Sequence, residues 1–251
     1  MIEMQGVNDS GFLSCSGYGE QSSFILGSSP VRRRMKSGSG SKRAFIRIVA
    51  FVDWNSQLLR HGKELSKDPV ALARHTLKMM ARHIAGSLAR HHSDNRFQVF
   101  LRLYHGWHKG YEPTPNRKAI TKAISEADFS TLSHKPDVIF SPEVAYGDYL
   151  LSALPERLNK KLHIHLPNTV RDREPRGLEE KMVDTALASD IIVSAYRDPE
   201  DWIMVVSDDD DFIPPLFVAE SIIKPKESRA LLLGSRVRSK NLLKLDKIAV
   251  S

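Results

Sequence analysis

The chain has 251 residues, of which 41% are apolar and 27% charged, and 37 Lys and Arg against 30 Asp and Glu give a formal charge of +7. These values allow a sizeable core, and no run reaches the ~18 to 20 apolar residues that a membrane span requires. The single cysteine, Cys15, excludes an intramolecular disulfide and a cysteine-rich zinc site.

Residues 1–42 are rich in Ser and Gly, carry Arg32-Arg33-Arg34 and end in Ser37-Gly38-Ser39-Gly40-Ser41. They are expected to form a disordered basic tail, with one folded domain over 43–251. Ala44 to Val52 (AFIRIVAFV) is apolar and β-branched, as a buried strand would be. Asp68-Pro69 is a helix start, with Val70, Leu77, Met80, Ile84 and Leu88 as its apolar stripe and Arg74, Lys78 and Arg82 on its wet side. Phe97 to Tyr104 alternates as a second strand. Asn116 to about Ala127 is read as a helix, Asp137 to Phe140 as a short strand, and Tyr146 to about Ala153 as a helix that stops before Pro155. Leu162 to Leu166 is strand-like, Leu178 to about Ala188 helical, and Ile191 to Ser194 a short strand. Trp202 to Val206 (WIMVV) is a buried strand. A helix over Phe212 to Ile223 takes Pro214-Pro215 in its first turn, and Ala230 to Leu233 and Ile248 to Val250 close the chain as strands. Alternating strands and helices imply a mostly parallel sheet covered on both faces, with ligands at the carboxyl ends of the strands.

That rule singles out acids. Asp53 directly follows the first strand, Asp208 to Asp211 follow the WIMVV strand after Ser207, and Asp184 is placed in a helix. Carboxylates gathered from separate elements can seat Mg²⁺ or Mn²⁺, which prefer oxygen ligands, and so polarise a phosphate and activate water. An acidic knot on a basic chain suits a metal-using enzyme with a phosphate substrate, since basic surface favours polyanions by counterion release.

Four segments then resemble the NYN-domain family of PIN-like nucleases: Phe51-Val52-Asp53-Trp54-Asn55, Glu180 to Asp190, Ser207-Asp208-Asp209-Asp210-Asp211-Phe212-Ile213-Pro214, and Leu233-Gly234 with Ser239, Leu242 and Asp246. Their order and spacing match over about residues 44 to 250. The resemblance implies a three-layer α/β/α PIN-like fold and an Mg²⁺- or Mn²⁺-dependent endoribonuclease. Asp53, Asp184, Asp209 and Asp211 would then be the metal site. Asn55 would orient Asp53 or a metal-bound water, and Lys181 would contact a phosphate or steady the carboxylates. The chain departs from the family where a glycine is usual, at Asp208 and Met182, and where a serine is usual, at Asp210; all four ligand acids are kept.

Trp54, Tyr104 and Trp107 are expected at the rim of the site, stacking on bases, with Lys109, Arg117, Lys118, Arg236, Arg238 and Lys240 on phosphates. RNA is the expected partner ahead of DNA, with no membrane involvement, a cytoplasmic setting and a plausible homodimer. Two other functions compete. A PIN-like module can bind RNA or protein without cutting. A haloacid-dehalogenase-type phosphatase also begins with Asp after a strand, but it needs a second Asp where this chain has Asn55. His163 and His165, on one face of a strand, offer a minor zinc alternative.

Overall fold

The computed structural model describes residues 44–62, 68–151, 166, 168–174, 177–234 and 249–250. The expected tail, the LHIHL strand up to residue 165 and the basic residues Arg236, Arg238 and Lys240 lie outside the described residues.

Strand β1 (Phe45–Asp53) is the centre of a parallel sheet. It pairs on one side with β2 (Arg96–Tyr104) and on the other with β9 (Trp202–Val206). Beyond β2 lie β5 (Val138–Phe140) and β6 (Ala145–Tyr146); beyond β9 lie β10 (Ala230–Leu233) and β11 (Ala249–Val250). Two antiparallel pairs stand apart from this sheet, β3 (His108–Lys109) with β4 (Glu112–Pro113) and β7 (Val170–Arg173) with β8 (Gly177–Glu180).

Successive side chains of a strand point to opposite faces, and here each face has its own core. Ile48, Ala50 and Val52 of β1, with Trp202, Met204 and Val206 of β9, pack against α2 (Pro69–His91) and α3 (Pro115–Ser125). Phe51, Ile203 and Val205 pack against α5 (Val183–Arg197) and α6 (Ile213–Ile223) on the other face. The short helices α1 (Trp54–His61) and α4 (Phe129–Leu132) belong to the first face. The architecture is therefore α/β, a mostly parallel sheet with helices on both sides.

Local chemistry explains most boundaries. Asp68 Oδ1 accepts from Val70 N at 3.0 Å with Pro69 at the first helical position, and Thr114 caps α3 ahead of Pro115 in the same way. The stripe of α2 is buried at Leu77, Met80, Ile84 and Leu88, while Arg74, Lys78 and Arg82 are exposed.

Three expectations are corrected. The segment starting at Tyr146 is no helix: Ala145–Tyr146 pairs with β2 and Gly147 follows in a turn, where any Cβ would collide with the Tyr104 ring. Leu178 to Glu180 is strand β8, and the helix begins only at Val183. Ile191 to Ser194 is the interior of α5, because a short apolar run looks alike in a buried strand and a buried helix.

Candidate metal centre

Asp53, Ser207 and Asp209 meet where β1 and β9 end side by side, Val52 being paired with Val206. Asp53 is the last residue of β1 and also the N-cap of α1: its Oδ1 accepts from Ser56 N at 3.1 Å, and its Oδ2 accepts from Ser56 Oγ and, at 2.8 Å, from Ser207 Oγ. Ser207, fully buried, also accepts from Asp209 N at 3.1 Å. Asp209 repeats the device of Asp53, capping the 3₁₀ turn Asp210–Phe212 by accepting from Asp211 N at 3.0 Å. Ser207 thus ties the two strand ends into one loop cluster. A carboxylate has about four lone-pair sites, so these donors leave part of each acid's capacity for another partner.

Asp184 comes from the opposite element, in the first turn of α5. Its carboxyl is pushed up to about 6, first by burial and then by the negative charges of Asp53, Glu180, Asp209 and Asp211. Asp184 is exposed, so desolvation is partial and the like charges matter. The other three acids of the sequence-derived set therefore all act on Asp184, although Asp211 is exposed and Asp53 and Asp209 are half-buried. The reason is parity: Asp53 and Ser207 follow Phe51 and Val205, the side chains that face α5 and α6. Asp208 lies one step out of phase, and its charge reaches His61 and His83 of α1 and α2 instead.

Oxygen donors of this kind fit a hard divalent cation, and no ion pair neutralises Asp184 among the described residues. As the side chains stand, however, no three His, Cys, Asp or Glu among the described residues are grouped closely enough to hold a metal ion.

Met182 initiates α5 at φ 63°, in the left-handed region that favours glycine, which is where the resemblance put a glycine. This turn carries the chain from β8 into α5 and brings Glu180 near Asp184. Glu180 is fixed from the other side: its Oε1 accepts from Gly106 N at 2.6 Å and from His105 Nδ1.

The remaining expected site residues divide. Asn55 is half-buried in the first turn of α1. Lys181 is exposed, donates its N–H to Thr169 O at 2.8 Å and forms no ion pair among the described residues. Lys109 is exposed and paired with Asp172 at 2.5 Å. Arg117 lies over the Tyr146 ring, 3.2 Å from its centroid, and faces the buried Asp148. The three aromatics are corrected: Trp54, Tyr104 and Trp107 are all buried and offer no face to a base. Trp107 Nε1 donates to Leu103 O at 3.0 Å and the Tyr104 hydroxyl donates to Asp190 at 2.6 Å, so their polar atoms are used inside the fold. Solvent instead reaches Tyr111, 84% exposed beside the β3–β4 turn. Sequence reasoning gave no role to Ser56, Ser207 or Glu180, and placed His105 at the rim of the site without a partner. For Ser207 a signal existed, as a hydroxyl directly after a buried strand; for His105–Glu180 none did, because the pair is 75 residues apart.

Among the described residues no helix is long and apolar enough to cross a membrane. Comparison of the chain with family models, with curated proteins and with solved structures finds no match.

Proposed function

We propose that the chain is a divalent-metal-dependent nuclease of the PIN-like, NYN-domain kind, cutting single-stranded RNA. The observation that carries this reading is the raised carboxyl of Asp184, faced by acids from β1, β8 and the loop after β9. A folded chain that assembles like charges without a counter-ion is set to gain from binding a cation. A bound Mg²⁺ or Mn²⁺ would neutralise the acids and polarise a phosphate oxygen. Asp184, Asp209 and Asp53 are the holding carboxylates, with Asp211 at the solvent side. Ser56 and Ser207 fix the orientation of Asp53, and Ser207 fixes the loop that presents Asp209. Asn55, one helical step beyond Asp53 and Trp54, orients the attacking water, and Lys181 contacts the scissile phosphate. Water adds to phosphorus and releases a proton, the bond to the leaving oxygen breaks, and that oxygen takes up a proton in exchange.

A second reading, a PIN-like module that binds RNA without cutting, draws on the capping duties of Asp53 and Asp209 and on the wide spacing of the acids. Labelled single-stranded RNA, with a DNA control, separates the two. Under the nuclease reading, wild type cuts with Mn²⁺ and stops with EDTA. Asp209→Asn, whose amide oxygen still caps the turn, then loses cutting while keeping binding in a gel shift. Binding by wild type with no cutting supports the second reading; cutting that EDTA does not affect overturns the metal mechanism.

A further inference from the structure

Just beyond the end of β2, the loop 105–114 holds a buried imidazole with both nitrogens engaged. His105 is 8% exposed, and its ring packs edge-on against Trp107 at a centroid distance of 5.2 Å. Asn116 Nδ2, in the first turn of α3, donates to His105 Nε2 at 2.6 Å, which leaves the ring proton on Nδ1, directed at Glu180. Glu180 Oε1 receives a second donor, the Gly106 N–H, at 2.6 Å. The loop beneath is closed by Thr114, whose N donates to Trp107 O at 2.9 Å and whose Oγ1 donates to Gly106 O at 2.8 Å. At Gly106 a Cβ would strike Val170 of β7, so the loop sits tightly on the β7–β8 hairpin that carries Glu180.

We propose that His105 is a positioning residue for the acidic site: the line Asn116–His105–Glu180 holds the Glu180 carboxylate fixed in direction beside Asp184. This deepens the nuclease reading and rests on it. The physical reason is the company Glu180 keeps. Next to other acids it would swing toward solvent, and two donors on one oxygen oppose that. The Nδ1–H···carboxylate bond also fixes the ring, because Asn116 occupies the other nitrogen. His105 touches neither substrate nor cation; it acts through Glu180.

Mn²⁺ titration of the full chain by calorimetry tests this without recourse to activity. Relative to wild type, His105→Leu and Glu180→Gln should each weaken Mn²⁺ binding by about tenfold or more, the range seen when an outer hydrogen-bond partner of a metal site is lost. The double variant should be no weaker than Glu180→Gln alone, since both changes break one line. His105→Gln, which keeps a donor, should restore most of the affinity. Unchanged affinity in His105→Leu, or losses that add in the double variant, overturns the proposal while leaving the nuclease reading standing. Wild type that binds no Mn²⁺ overturns both. Thermal melting is followed in parallel; should His105→Leu unfold, the isosteric Glu180→Gln decides, and full Mn²⁺ affinity there overturns the proposal.

Discussion

Helix α5 carries two aspartates six residues apart that have opposite surroundings. Asp190 is fully buried and completely matched: its Oδ2 accepts from Arg102 Nε at 3.0 Å, Arg102 Nη2 at 2.9 Å and the Tyr104 hydroxyl at 2.6 Å, and its Oδ1 accepts from Leu151 N at 2.7 Å. Against the opposing effect of burial, Tyr104 and then Asp190 raise Arg102, and burial drives the Tyr104 hydroxyl well above its usual range. Asp184, at the start of the helix, is pushed up to about 6 by burial and by the negative charges of Asp53, Glu180, Asp209 and Asp211. One acid is neutralised by the fold and locks helix to sheet; the other is left for something the fold does not supply. Burial alone does not mark a functional carboxylate. The sign of its neighbours does.

Removing the matched acid should have the larger effect. Asp190→Ala leaves Arg102 buried without its counter-charge and should cost about 3 to 5 kcal/mol, read as a lower denaturant midpoint. A loss below about 1 kcal/mol would mean that the pair is a passenger.

The turn that delivers Asp184 gives a smaller effect of opposite sign. Met182→Gly relieves a left-handed residue at the cost of a looser unfolded chain, for a net gain of about 1 kcal/mol in a chemical melt. Met182 is 40% exposed, so little packing is lost with its side chain. Destabilisation by this change would show that the thioether packs against more than the described contacts.

The smallest effect concerns Asp184 itself, because it is partly solvated. An acid whose folded pKa of about 6 lies above its ordinary 3.8 binds more protons folded than unfolded. Its contribution is therefore most favourable below pH 3.8 and is lost as the pH rises through 6. Asp184→Asn should raise the melting temperature at pH 7.5, with the gain vanishing near pH 4, and Mg²⁺ should raise wild type but not the variant. His83 works in the other direction: burial and the charges of Arg60, His61 and Arg90 lower it from 6.5 to about 4, so its contribution is lost as the pH falls through that window. The comparison of wild type with Asp184→Asn cancels that background.

The sheet, its strand ends and the capped start of α2 were legible in the residues, because apolar β-branched runs and an Asp-Pro pair encode them locally. So were Asp53, Asp209 and Asp211, as residues that follow those runs, and Asp184 as an acid placed in a helix. The helix expected after Tyr146 was not readable as a turn, since the Gly147–Tyr104 contact that forbids a side chain there spans 43 positions of the chain. Trp54 and Trp107 were misjudged for a related reason: proximity to a strand end says nothing about which way an indole points, and both rings turn into the core beside Val52 and Leu103.

By itself the sequence determined the layers and the stock of acids, through periodicity and residue type, which act within a few residues. Only the tertiary structure decided which acids face one another, because that depends on strand parity across β1 and β9 and on the left-handed turn at Met182. It also decided that Asp190 meets Arg102 while Asp184 meets Asp53, Glu180, Asp209 and Asp211. Coulomb forces depend on distance in space, and distance in space is what a linear pattern leaves open.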